Sequence, residues 1–426
     1  MSDRYQQHRR RLAERIGPGG MALIPASGET IRNDDVSHEF RQDSDFVYLT
    51  GFEEPDAVAA IVPGHPDGEF VLFVRPRDPE MEAWNGYRAG VEGARERYGA
   101  DAAYGLDRLD EILPRLMLGR SELWYRMGRA GHDDLIVRML DKARSYRDRY
   151  GRPAPEAIRD VSVLLGEMRL LKSGSEIDSV RAACTLSVRG HEEAMRYARP
   201  GAWEYQVQAA MEHVWREGGS PRNGYPSIVA SGPNACILHY VENRRQVQDG
   251  DLILIDAAAE VDHYSADITR TFPAGGGYSP PQRALYEVVL AAQRAAIERV
   301  KPGVAWHDLH DTAVRVLTEG LVDLGLVPRG VEESLTMHHY RQYFFHGIGH
   351  WLGLDVHDRG SYRVDGESRT LQPGMVFTVE PGLYADVSKP KRSFSLLEYD
   401  LDAWTEERIL GGEDARRRQE QALEEA

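Results

Sequence analysis

A chain of 426 residues exceeds what one ordinary hydrophobic core organises, so two domains are expected. Its 68 acidic against 52 basic residues leave a net charge of −16, which excludes nucleic acid or an anionic membrane as the natural partner and suits a bound cation. Two cysteines, Cys184 and Cys236, are too few for a disulfide framework or a thiolate zinc cluster and fit a reducing cytoplasm.

The opening MSDRYQQHRRRLAERIG lacks the apolar centre of a secretory signal, and no apolar run reaches membrane-spanning length, so a cytoplasmic protein is expected. From residue 20 to 75 the runs MALIP, DFVYLTGF, AAIV and FVLFV, separated by Gly, Pro and Asp, predict strands. Helical patterning follows, so residues 1–170 read as a mixed α/β domain. Turn formers in RDRYGRPAPEAIRD, and a long helix predicted over 175–198, place the boundary near residue 170 and a second domain over 171–426.

The second domain contains an internal echo. ARPGAWEY around Pro200 resembles VKPGVAWH around Pro302, each ahead of a helical pattern. DGDLILIDA and PGMVFTVEP then share a glycine, an apolar run and a carboxylate, with Gly250 as far before Asp256 as Gly374 is before Glu380. A duplicated half-domain places those acids about a pseudo-two-fold axis, where one shared site can form.

LILI before Asp256 and DITRTF from Asp267 predict neighbouring strands. If the hairpin turns between Val261 and Asp262, Asp256 and Asp267 stand directly opposite, where two carboxylates repel unless a cation lies between them. Glu380 closes a third predicted strand, MVFTVE, between two Pro-Gly pairs. Downstream of the first hairpin, FFHGIGHWLGLDVHD carries His346, His350 and His357 in an otherwise apolar stretch, three in twelve positions, too many for satisfied core histidines. Its glycines predict a loop running into a strand, and His350 and His357 reach one site only if the chain bends or His350 sits before the strand. His239, in ILHY, is a fourth candidate. His213, His263, His307, His338 and His339 have polar neighbours, are expected at the surface and receive no role. Three carboxylates with one imidazole suit Mn²⁺, Co²⁺, Zn²⁺ or Fe²⁺ better than Ca²⁺.

LILIDAAAEVDHYSADITRTFP, HGIGHWLGLDVHD and TVEPGLY, with ILHY upstream, resemble the M24 metallopeptidases, specifically the Xaa-Pro aminopeptidases (aminopeptidase P), from residue 40 to 384. The resemblance implies an α+β fold: a pita-bread C-terminal catalytic domain, a curved antiparallel sheet with outer helices, after a creatinase-like N-terminal domain. It implies two divalent metal ions, usually manganese, and a homo-oligomer, dimer or tetramer. Carried over by position, Asp256, Asp267, His350 and Glu380 are metal ligands, with Glu380 also accepting a proton. His239, His346 and His357 hold the substrate and stabilise charge on the scissile carbonyl. The substrates implied are peptides with proline second, and Tyr384 and His346 are candidate walls for the proline ring.

Relatives place a further bridging glutamate in an R-I-E-D-D strand, and no such stretch occurs here; Glu398 is the nearest candidate. Truncation is the favoured reading, with fewer than two tightly held ions per chain as its expected consequence. Two rival readings stand beside the aminopeptidase: a prolidase, which shares the metal set and cuts only Xaa-Pro dipeptides, and a non-catalytic binding protein on the same fold.

Overall fold

A computed structural model describes residues 3–327 and 330–385. Six strands form the first sheet: β1 (Gly20–Pro25), β2 (Val58–Ile61), β3 (Phe70–Val74), β4 (Ala102–Gly105), β5 (Glu122–Trp124) and β6 (Ala157–Arg159), in the order β4-β3-β2-β1-β5-β6. The pairs β1–β2 and β2–β3 are antiparallel and the rest parallel. Every residue of β1, β2 and β3 is buried, as their unbroken apolar runs require when helices cover both faces.

DFVYLTGF departs from the strand expectation and forms a helix, Ser44–Thr50. All seven residues are buried, so no alternation of polar and apolar positions distinguishes it from a core strand. Its ends decide the matter: the Asp43 side chain accepts from Phe46 N at 2.9 Å, and Gly51 closes the helix at φ 63°.

Helix α1 (Val161–Leu170) leads into α2 (Gly174–Tyr197), which starts on a capping box in which Ser173 and Glu176 bond reciprocally. Helix α2 packs on α3 (Glu204–Glu217), and the pair covers an antiparallel sheet of β7 (Ile228–Ser231), β8 (Leu252–Asp256) and β9 (Thr269–Pro273), ordered β9-β8-β7. Helices α4 (Pro280–Arg299) and α5 (Trp306–Asp323) pack together in the same way further along.

The echo in the sequence has a structural counterpart. Gly201 N donates to Val247 O at 2.8 Å and Glu204 N to Arg245 O at 3.0 Å; in the second half Gly303 N donates to Leu371 O at 2.9 Å and Trp306 N to Arg369 O at 2.8 Å. Gly250 and Gly374 open the two acid-bearing segments at φ 81° and 91°, a conformation favouring glycine. Ile253 pairs with Ser231 as Phe377 pairs with Trp351. Asp256 and Glu380 therefore occupy equivalent ends of equivalent segments.

Two strand expectations are corrected in the second half. MVFTVE runs beside residues 348–352 through the bonds Leu352 N–Val376 O, Thr378 N–His350 O and Glu380 N–Ile348 O, yet among the described residues it forms one isolated bridge and no ladder strand. LGLDVHD turns through a bend over 353–357. The closing charged segment and Glu398 lie outside the described residues.

Candidate metal centre and active site

The β8–β9 connection sets the first two acids. Asp262 and His263 both take positive φ, 51° and 67°, so the hairpin turns between them and Glu260 pairs with Ser265. Asp256 consequently faces Thr269, correcting the expected direct opposition to Asp267. The shift in partner is two residues, which preserves the face of the sheet, and the two acids still meet. The Tyr225 hydroxyl bonds Asp256 Oδ1 at 2.5 Å and Asp267 Oδ1 at 3.2 Å. His263, expected at the surface, is buried and bonds Glu53 at 3.0 Å.

His350 and Glu380 arrive from the other half. Thr378 holds both, its Oγ1 accepting from His350 N at 2.9 Å and donating to Glu380 Oε1 at 2.7 Å. Gly349 is obligatory here, because a Cβ would lie 2.1 Å from Thr378 O. The His350 imidazole then spans the two halves, with Nε2 3.3 Å from Asp267 Oδ2 and 3.2 Å from Glu380 Oε1. The bend over 353–357 brings His357 back, its ring centroid 4.0 Å from that of His350. His346 Nε2 meets the Tyr384 hydroxyl at 2.9 Å, with Phe345 against the same phenol. His239 is exposed on the β7–β8 connection, near enough to disfavour charge on His357. All seven candidates thus gather around one place.

Charge in the cluster is held by protons. Burial and then the neighbouring Asp267 push the Asp256 carboxyl up to about 7. Burial opposes charge on His350, but its bonds to Asp267 and Glu380 prevail and raise it to about 10. Glu380 moves below the usual carboxylate range: burial works against this, and the bonds from His350 and Thr378 overcome it. Burial lowers His346, and burial with the adjacent His350 lowers His357. Tyr225 is pushed well above the ordinary phenol by burial and the two aspartates, so it stays an O–H donor.

Among the described residues, no three His, Cys, Asp or Glu side chains are spread around a common point as in a formed metal site. The imidazole of His350 instead lies against the carboxylates. The donor set nevertheless fits a divalent ion, since three carboxylates and an imidazole otherwise need protons on Asp256 and His350 to coexist at these distances. Divalent-ion binding must displace those protons. Affinity is therefore expected to fall as pH drops below about 10, where His350 is protonated, and more steeply below about 7, where Asp256 is too, with net proton release on binding. Calorimetry in two buffers of different ionisation enthalpy checks this; buffer-independent heats and a flat affinity across that range would contradict it.

Tyr225, Thr378 and His191 were not singled out from the sequence. His191 bonds Ala257 O at 2.9 Å, directly beside Asp256. Tyrosine, threonine and a helical histidine are ordinary core-facing residues in pattern, and only the fold brings them to the acids.

Residues 178–407 match Metallopeptidase family M24, and residues 5–124 match Aminopeptidase P, N-terminal domain. The chain is 41% identical over 382 residues to the Xaa-Pro aminopeptidase of Haemophilus influenzae, spanning 90% of this chain and 86% of that protein. It is 47% identical to Pseudomonas aeruginosa aminopeptidase PepP, with a TM-score of 0.89 over 91% of this chain and 88% of that one. Zinc-substituted Escherichia coli aminopeptidase P in complex with product is 39% identical, with a TM-score of 0.87 over 92% and 90%.

Proposed function

The chain belongs to metallopeptidase family M24, and we propose that Asp256, Asp267, His350 and Glu380 hold the divalent ions with which it releases the first residue of peptides whose second residue is proline. It is an Xaa-Pro aminopeptidase, and its substrates are peptides. One observation carries the assignment of the ligands. His350 reaches within 3.3 Å of Asp267 and 3.2 Å of Glu380, from two halves of a duplicated frame.

Bound ions supply Lewis acidity for water and for the scissile carbonyl. Glu380, fixed by Thr378 and His350, accepts the proton of the attacking water. His239 and His357, exposed on the two loops that adjoin the acid cluster, hold the substrate and stabilise charge on the carbonyl oxygen. A proline nitrogen carries no hydrogen, so the site must read the ring. The hydrogen-bonded pair His346 and Tyr384, backed by Phe345, forms a wall suited to that.

The hard and borderline donors support manganese as the native ion. The two cysteines in 426 residues support a cytoplasmic location, and no helix among the described residues is long and apolar enough to cross a membrane. Exposed Trp84 and Tyr87 support association of copies into a dimer or tetramer. A domain boundary near residue 170 is supported by the end of α1 and by the separate matched spans 5–124 and 178–407.

Chelation is expected to abolish turnover and Mn²⁺ to restore it. The restored protein should cleave an Xaa-Pro-Yaa tripeptide at least about tenfold more efficiently than the Xaa-Pro dipeptide. An equal or reversed preference would move the chain to the prolidase reading, and no turnover of either to the binding-protein reading.

A further inference from the structure

The carboxylate of Glu204, at the start of α3, is fully enclosed, and both its oxygens face the connection between β7 and β8. Oε1 accepts from Ser231 N and Ser231 Oγ, each at 2.7 Å, and from Asn234 Nδ2 at 3.2 Å. Oε2 accepts from the Tyr240 hydroxyl at 2.7 Å and Arg245 N at 2.8 Å. The donors come from the start, middle and end of residues 231–245, the segment that carries His239. His239 points to solvent while its neighbour Tyr240 is buried, so the bond from Tyr240 to Glu204 anchors the chain immediately beside the exposed imidazole.

The duplicated frame shows that this carboxylate is not required for the architecture. The bond from Glu204 N to Arg245 O corresponds to that from Trp306 N to Arg369 O, and the pairing of Ser231 with Ile253 to that of Trp351 with Phe377. Where the first half sets Glu204 against Ser231, the second packs Trp306 against Trp351, with centroids 4.6 Å apart and the ring planes tilted by 46°. The same junction is closed there by apolar contact. Apolar packing commonly replaces a buried ionic group at no loss of stability, so a carboxylate in this position calls for a local reason. The corresponding loop of the second half carries His357 and has its own buried ionic anchor, Arg169, bonded to Asp355 and Asp358. Each half thus ties a histidine-bearing loop to a buried charged group.

We propose that Glu204 is a positioning residue for His239, fixing residues 231–245 so that the imidazole stands opposite His357 across the scissile peptide. This rests on the role given to His239 above. Gln208 and Glu212, one and two turns further along α3, extend the same polar stripe: Gln208 accepts from Asn243 at 2.8 Å and Glu212 from Ser227 at 2.8 Å.

Glu204→Gln preserves volume but sets an amide NH₂ against donors. In the manganese-loaded protein, kcat on an Xaa-Pro-Yaa tripeptide is expected to fall about 10- to 100-fold, the scale of a small misplacement of a reacting group, with KM and ions per chain unchanged. The double variant with His239→Ala should be no slower than His239→Ala alone. In the metal-free protein, amide exchange over 232–245 should quicken while that of Leu252–Asp256 stays the same. Additive losses, unchanged exchange, or metal loss parallel to the loss in kcat would each overturn the proposal. His239→Ala at the parent rate would overturn the role of His239 and the proposal with it; a slow His239→Ala beside an unimpaired Glu204→Gln would overturn the proposal alone. Should Glu204→Gln not fold, Tyr240→Phe removes one donor and leaves four. It is expected to lower kcat about two- to tenfold, and a parent-like kcat would count against Glu204.

Discussion

His350→Ala is expected to remove both tight divalent-ion binding and hydrolysis, whereas His357→Ala should keep its metal and lose turnover. The two rings are neighbours, with centroids 4.0 Å apart, so proximity alone does not separate them. Their partners do. His350 reaches Asp267 and Glu380 together and, among the described residues, is the one nitrogen donor within bonding range of both halves' carboxylates. Its loss leaves carboxylates alone to hold the ion, and the imidazole was also the group whose protons balanced them. His357 is exposed and meets the cluster through its ring contact with His350. Its removal should cost about 10²- to 10⁴-fold in turnover, the usual range for a positioned proton-transfer or charge-stabilising group. Metal content after gel filtration, paired with tripeptide turnover, reads both effects. If the two variants lost metal equally, the division between ligand and substrate-facing histidine would be wrong.

What was legible in advance followed from local chemistry. Asp256, Asp267, His350 and Glu380 stand in short segments where a polar group interrupts an apolar run, and such interruptions show in any sequence. The duplicated pattern also survived, because Gly250 and Gly374 meet the same backbone demand. The hairpin register did not. It depended on whether Asp262 or its neighbour led the turn, and Asp262 and His263 both adopting positive φ is a choice that alternation cannot reveal. DFVYLTGF departs from the strand pattern for a related reason: a segment buried on every side has no period, and only its caps at Asp43 and Gly51 distinguish helix from strand. The bend in LGLDVHD has the most distant cause. It is drawn by partners from outside the motif, Arg169, Lys172 and Ser44, and no local pattern encodes a contact across 186 or 311 positions.

These distant contacts show what the N-terminal domain does for the site. Arg41 donates to Glu260 at 2.7 Å and to Leu354 O at 2.5 Å, and Ser44 donates to Asp355 at 2.6 Å. One short stretch of the first domain thus bonds both the β8–β9 hairpin that carries the aspartates and the bend that carries His357. The buried cluster containing Phe46, Val47 and Leu49 also includes Tyr264 and Leu354, so apolar packing reinforces the same junction.

Arg169→Met is expected to cost about 3–5 kcal/mol of stability at neutral pH, the usual result of breaking a buried ion network from one side. Arg169 is 1% exposed and bonds Asp45 at 2.7 Å, Asp355 at 2.7 Å and Asp358 at 2.5 Å, while Lys172 gives Asp358 a second partner at 2.9 Å. Methionine fills the space but leaves Asp358 to Lys172 alone, Asp45 to a longer contact with Arg359 at 3.8 Å and Asp355 to the Ser44 hydroxyl, with Asp45 and Asp358 deeply buried. The pH dependence has a definite sign. Burial alone would raise Asp355, yet Arg169 and Ser44 hold it below the ordinary carboxylate range. A carboxylate depressed on folding contributes stability that is complete above its unfolded value of about 3.9 and disappears as pH falls through the folded value. In the variant that contribution is already missing, and protonation relieves the stranded charges. The gap between parent and variant should therefore be widest near neutrality and narrow below about pH 4. Urea unfolding of the metal-free proteins at the two pH values measures this without interference from bound ions. A deficit under about 1 kcal/mol at neutral pH, or one of equal size in acid, would mean that the cluster does not carry the charge burden assigned to it. Turnover should fall as well, because Asp355 and Asp358 bracket His357 and lose the group that bends the chain between them.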